Sequence, residues 1–282
     1  MESQSIQELK PIGSGKRITI IAYYELTRLF NTRRGWMALV AFALVWYFIF
    51  RYPVSYASSI VTQPDFTDMI SQALGMLNAD KLLDWPIAEL TIYWVISLIL
   101  YPLFSLFITA DQISSDRARG TLRFLVLRST RFELFIGRYL GQMLILTILV
   151  FATVSAASGM AVYRDASLLS HVPLNISFIL FHLFVVLLPV VAITALTSVV
   201  CQSARSATFL AIIGLSASFI LTGVAIHYFP KLAFLDDYLI GAQVSDLAIS
   251  VGLTSLNHIS LPIAQALVIL AIAYTLFNRK AL

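Results

Sequence analysis

The stretch PIGSGKRIT, residues 11–19, carries the glycines and lysine that a phosphate-binding loop uses to cradle a nucleotide. The spacing fails. Such a loop needs glycine where Lys10 stands, and Ser or Thr where Arg17 stands. No strand pattern leads into it, so the stretch reads as the end of a flexible N-terminal arm, 1–16. The four histidines, His171, His182, His227 and His258, are scattered and lack metal-ligand spacing. Neither H-E-x-x-H nor G-x-S-x-G occurs. The single cysteine, Cys201, excludes an internal disulfide and a cysteine-rich metal centre. The chain therefore reads as a non-enzyme, with no catalytic, cofactor-binding or metal site of its own.

The remaining chemistry is guanidinium. Residues 114–142, SSDRARGTLRFLVLRSTRFELFIGRYLGQ, hold six arginines and no lysine between two apolar stretches. Six arginines within a bilayer would cost on the order of 15 kcal/mol, so the segment belongs in water. Gly120 interrupts the helix that leaves the preceding apolar run. Thr121 can cap a short new helix with Leu122, Leu125 and Val126 on one face and Arg123 beside them. Ser129-Thr130 then turns the chain. A loop needed only for orientation would require two or three positive charges and no apolar face. Arginines interleaved with Leu122, Phe124, Leu125 and Leu127 read instead as a docking element. Upstream, 17–34 (RITIIAYYELTRLFNTRR) places Ile18, Ile21, Ala22, Leu26, Leu29 and Phe30 on one side of a helix. This segment is too polar to span and reads as an amphipathic helix along the inner leaflet, where arginine meets anionic lipid. Glu25 falls among its apolar residues and calls for a cationic partner, with the arginine loop as its source.

The elements that position these residues are membrane spans. The chain has 282 residues, 59% hydrophobic and 12% charged, with mean hydropathy +0.85. That is about half the charge of an average soluble domain. Six stretches are long and apolar enough to cross: about 35–52, 87–110, 139–163, 176–201, 207–229 and 261–277. Ser260 before Leu261-Pro262 reads as the cap of the sixth. Between them lie a loop at 111–138 and two long outer connections, 53–86 and 230–260, with 35–282 forming one transmembrane domain. The Lys and Arg residues fall unequally on the two sides of this arrangement. The side with both termini and the 111–138 loop holds 15 of 19. That bias places both termini and the arginine loop in the cytoplasm. The pI near 9.2 follows from this topology rather than from nucleic-acid binding. Gly137 and Gly141 form a G-x-x-x-G at the mouth of the third span, suited to close helix packing within the chain.

D-R-A-R-G-T-L (116–122), followed by L-x-L-R-S-T-R-F-E-L-F-I-G-R (125–138), resembles the cytoplasmic loop of type-2 ABC exporter permeases. Y-E-L-T-R-L-F-N-T-R-R-G-W (24–36) resembles the elbow segment that opens them. The resemblance implies an all-α membrane protein of the inner (cell) membrane. It would have an elbow helix and a short coupling helix that sits in a groove of a separate ATPase. Asp116, Arg117, Arg119, Gly120, Thr121, Leu122, Phe124 and Leu125 fall on the coupling segment. Glu25, Arg28 and Arg33 fall on the elbow. The pattern departs at Ala118 and Arg123, where acid is common, and at Ser129-Thr130, where proline is usual. The implied partners are two copies of the ATPase, which would carry ATP and Mg, and a second copy of this chain, all set in membrane lipid. In that family the second and fifth spans border the translocation path. Tyr93, Ser97, Tyr101 and Ser105 on one, and Ser216 and Thr222 on the other, are the path candidates. An ion-coupled secondary carrier is the alternative, disfavoured by the lack of mid-span Asp or Glu. A non-transporting scaffold is the third reading.

Overall fold

The structure, a computed structural model, describes residues 13–61, 87–242 and 256–279. The expected arm up to residue 12, most of the connection 53–86 and the stretch 243–255 lie outside them. Among the described residues all regular structure is helical, and six helices are long and apolar enough to cross a membrane.

Helix α1 (Ser14–Asn31) starts within the expected arm and ends at Thr32, whose backbone is extended. Helix α2 (Arg33–Ile49) begins at once, with the Thr32 hydroxyl accepting a hydrogen bond from Gly35 N at 3.1 Å. The reversal is tight. A Cβ on Gly35 would lie 1.8 Å from the Leu29 carbonyl oxygen, so no larger residue fits. Helix α2 runs into a π-helical turn, Phe50–Val54, which contains Pro53, and a short α3 (Ala57–Val61) follows.

The second span, α4 (Ala88–Ile108), continues through a 3-10 turn at Thr109–Asp111 into α5 (Ser114–Ala118). Next come the short α6 (Leu122–Val126) and the long α7 (Arg131–Arg164). At 34 residues, α7 is about 51 Å long, well beyond a hydrocarbon core of about 30 Å. It begins at Arg131 rather than near 139 because a capping box precedes it. Thr130 Oγ1 accepts from Glu133 N at 3.2 Å, and Glu133 Oε2 accepts from Thr130 N at 2.9 Å. Three further spans complete the bundle: α8 (Val172–Val200), α9 (Ala204–Tyr228) and α10 (Leu256–Arg279). The sixth span starts before the expected cap, so Ser260 and Pro262 both lie inside α10, and Pro262 removes one backbone hydrogen bond in its second turn.

Helix α8 is apolar on every side and sits at the centre, packed against α4, α7, α9 and α10. His182 lies in this core with Nδ1 2.8 Å from the Phe178 carbonyl, among Trp94, Phe178 and Phe181. Helix α2 attaches through aromatic contacts, with Trp46 5.1 Å from Tyr93 and Phe42 4.7 Å from Phe104 between ring centroids. Helix α1 rests on the first turns of α7, seated on the G-x-x-x-G. A Cβ at Gly137 would come within 2.8 Å of Ile21, and one at Gly141 within 2.8 Å of Glu25. Ile18, Ile21 and Ala22 of the α1 stripe thus lie against the third span, while Phe30, also expected on that stripe, is exposed with Ile20, Tyr23 and Tyr24.

Candidate coupling site

One end of the bundle gathers α1, the exit of α4, α5, α6, the start of α7 and the end of α10. Arg131 joins the last two by donating to the Asn278 carbonyl at 2.9 Å. At the centre of this arginine end is Arg138, buried at the mouth of α7. It pairs with Asp116 and donates to the Gln112 carbonyl, tying α7 to the exit of α4. It also lies 3.8 Å from Glu25 on α1. That is the cationic neighbour Glu25 requires, drawn from the arginine loop, at ion-pair rather than hydrogen-bond range. Glu25 accepts a hydrogen bond from Gln142 Nε2 at 3.2 Å and faces Arg28 at 3.5 Å. Arg28 then reaches Asp111 Oδ2 at 3.1 Å and Ser115 Oγ at 3.0 Å. Residues far apart in sequence are thereby locked into one polar cluster beneath the spans.

The electrostatics follow from burial. Removal from water drives the Glu25 carboxyl above its ordinary range; Arg138 and Arg28 pull it down without cancelling the rise, and Asp116 and Asp111 add to it. For Arg28 burial acts to lower the pKa, but Glu25, Asp111 and Asp116 together outweigh it and raise it.

The predicted coupling residues separate into two sets. Asp116, Arg117 and Leu122 turn inward. Asp116 also accepts from the Thr121 hydroxyl at 3.2 Å, Arg117 donates to the Val199 carbonyl at the end of α8, and Leu122, 2% exposed, packs beside Ile113, Leu134 and Phe277. Gly120 provides the turn between α5 and α6 with φ +68°, a left-handed conformation that favours glycine. Arg119, Thr121, Phe124 and Leu125 are exposed, Phe124 to 66%, although Arg119 donates back to Ser115 and the Thr121 hydroxyl bonds Asp116 instead of capping α6. Leu127, just past α6, is 82% exposed. Of the elbow residues, Glu25 and Arg28 join the cluster and Arg33 is exposed at the first turn of α2.

The path candidates are not brought together. Tyr93, Ser97, Tyr101 and Ser105 are buried, and Tyr93 and Tyr101 both hydrogen-bond Thr153 of α7, at 2.9 and 2.6 Å. Ser105 donates to the Pro102 carbonyl at 2.7 Å. Ser216 is exposed and Thr222 half-buried on α9. Sequence reasoning missed Asp111, Ser115 and Gln142 as members of the polar cluster. Their position at the two ends of the apolar runs is the one signal that could have found them.

Six helices long and apolar enough to cross, with a short helix of outward apolar side chains slung between the second and third, define a multi-pass membrane protein. Residues 19–282 match the family described as ABC-2 family transporter protein, and the chain belongs to it. It is a membrane permease of an ABC transporter, which works with an ABC ATPase subunit. Comparison with curated proteins gave no match.

Proposed function

We propose that this permease serves an exporter of the cell membrane, as a homodimer on two ATPase subunits, with both termini and the arginine end in the cytoplasm. The ATPases would bind ATP and Mg; this chain would convert their closure into movement of the spans. One observation carries the reading: Gly120 turns the chain so that α6 is anchored inward by Leu122 while Phe124 and Leu127 project outward. Exposed aromatic and aliphatic side chains amid arginines suit a partner groove with an acidic rim. Force applied to α6 would pass to α4 and α7 through Asp116 and Arg138, and to α1 through Glu25. The Lys and Arg bias supports the orientation.

The test is the double variant Phe124→Asp/Leu127→Asp, purified with its ATPase. Both residues are exposed, so the permease should fold normally. Binding should weaken by roughly 2–4 kcal/mol, as loss of central interface anchors does, and coupled ATP hydrolysis should fall with it. Wild-type co-purification and hydrolysis would remove the docking assignment. Leu122→Asp is unsuitable here, since that side chain belongs to the core.

A further inference from the structure

A crevice of about 910 Å³ opens at the arginine end between α1, α2, α4, α7 and the start of α9. Its floor is polar, formed by Arg28, Asp111, Ser115, Arg119 and Gln142. Its wall is apolar, with Phe104 and Phe107 opposite the small side chain of Ala41. Two unmatched features meet on the floor. The first is positive. Arg119 has no carboxylate partner among the described residues, and it converges with Arg28 on a single oxygen. Arg119 Nη2 donates to Ser115 Oγ at 3.1 Å, and Arg28 Nη2 donates to the same oxygen at 3.0 Å. Two guanidinium groups focused on one hydroxyl make a place for an anion with several acceptor oxygens. The second feature is the reverse. Gln142 Oε1, on a side chain 6% exposed, and Asp111 Oδ1 are buried acceptors with no hydrogen-bond donor among the described residues.

A simple anion would satisfy the guanidinium groups and leave both acceptors orphaned. A simple cation would do the opposite. The formal charges of the lining groups also cancel, Glu25 and Asp111 against Arg28 and Arg119. A headgroup that joins a phosphate to a protonated amine matches both features at once, and the apolar wall continues from it as a bed for a hydrocarbon chain. We propose that this crevice binds one aminophospholipid from the leaflet at the arginine end. Its phosphate lies on Arg28 and Arg119, its ammonium group on Asp111 and Gln142, and one acyl chain along Ala41, Phe104 and Phe107. The site depends on the cytoplasmic orientation only for which leaflet supplies the lipid, and not at all on an ATPase.

The test uses the full chain, purified in mild detergent, with phosphatidylethanolamine or phosphatidylglycerol added and bound lipid counted by native mass spectrometry. Wild type should hold one phosphatidylethanolamine per chain and retain phosphatidylglycerol at least about fivefold less. Arg119→Gln, at an exposed position of the floor, and Ala41→Trp, which fills the chain bed, should each reduce retention at least about tenfold. Lys231→Gln, at the opposite end of the bundle, should leave it unchanged. Glycerophosphoethanolamine, which has the headgroup without chains, should not displace the lipid. Retention indifferent to both Arg119→Gln and Ala41→Trp would overturn the site, as would phosphatidylglycerol held equally well or displacement by the chainless headgroup.

Discussion

Arg138 ties the start of α7 to α1 and to the exit of α4. It is buried between Asp116 and Glu25 and bonded to the Gln112 carbonyl. Arg138→Met keeps an unbranched apolar stem but removes the guanidinium, leaving Asp116 without its cation and Glu25 with Arg28 alone. A loss of about 3–5 kcal/mol is expected, the range for breaking a buried ion pair from one side. Chemical denaturation of the solubilised protein measures it. Glu25 carries a pH dependence whose sign is fixed by burial. The folded chain keeps this proton to a higher pH than the unfolded chain, in which the carboxyl titrates near 4.5. Between the two values the folded state binds more protons, so stability falls as pH rises through that window. Melting temperatures from pH 4.5 upward should therefore decline more steeply in wild type than in Glu25→Gln. Parallel curves would show that Glu25 titrates alike in both states. Thr153 gives a third residue-scale expectation. Thr153→Val removes the hydroxyl that two buried tyrosines share, leaving Tyr93 only the Val150 carbonyl at 3.4 Å, and should cost about 1–3 kcal/mol.

Two contacts between elements rest on glycine. The α1–α7 seat works because Gly137 and Gly141 let Ile21 and Glu25 approach the backbone. Gly137→Leu would force a side chain into that contact, at a cost of about 1–3 kcal/mol. Increased proteolysis at the α1–α2 break, with the spans intact, is the expected readout, and an unchanged cleavage pattern would contradict the seat. Gly120 acts differently, through its backbone. Little surrounds its Cβ position, the nearest atom being Arg123 Nη2 at 3.7 Å, so strain comes from φ alone. Gly120→Val should disfavour the turn by about 1–2 kcal/mol, while Gly120→Asn, which tolerates left-handed backbone, should retain coupling. Coupled ATPase rates of the two variants separate a conformational role from a steric one.

At the scale of the whole molecule, the uneven covering of the spans is informative. Only 6% of the most apolar stretch of α9 and 17% of that of the first span are buried inside the chain, against 56% for α8. Small residues are open on α9, with nothing within 4 Å of the Cβ positions of Gly214 or Gly223. Such faces suit close helix contact in lipid. In the proposed homodimer, a cysteine placed at Ser216 in a Cys201→Ser background should cross-link copies under mild oxidation. One placed at Val268, exposed on α10, should not. Equal cross-linking at both would argue against α9 as the seam.

What the sequence determined by itself was the bundle. A bilayer admits only backbones that bond internally, which forces apolar helical runs of about 20 residues, and those runs are visible without any long-range contact. The Gly120 break and the short apolar helix after it were legible for the same local reason. Helix ends were less so, as Thr130 with Glu133 and the early start of α10 demonstrate, because capping and burial of the first turns override hydropathy. The tertiary structure alone decided which of the expected coupling residues face inward: Asp116 and Arg117 look no more buried in sequence than Arg119, and Leu125, expected on the face of Leu122, is exposed instead. It also decided that Glu25 meets Arg138 and that Tyr93 and Tyr101 share Thr153. Each of these contacts joins residues separated by a span or more, and no local periodicity encodes the rotation of one helix against another.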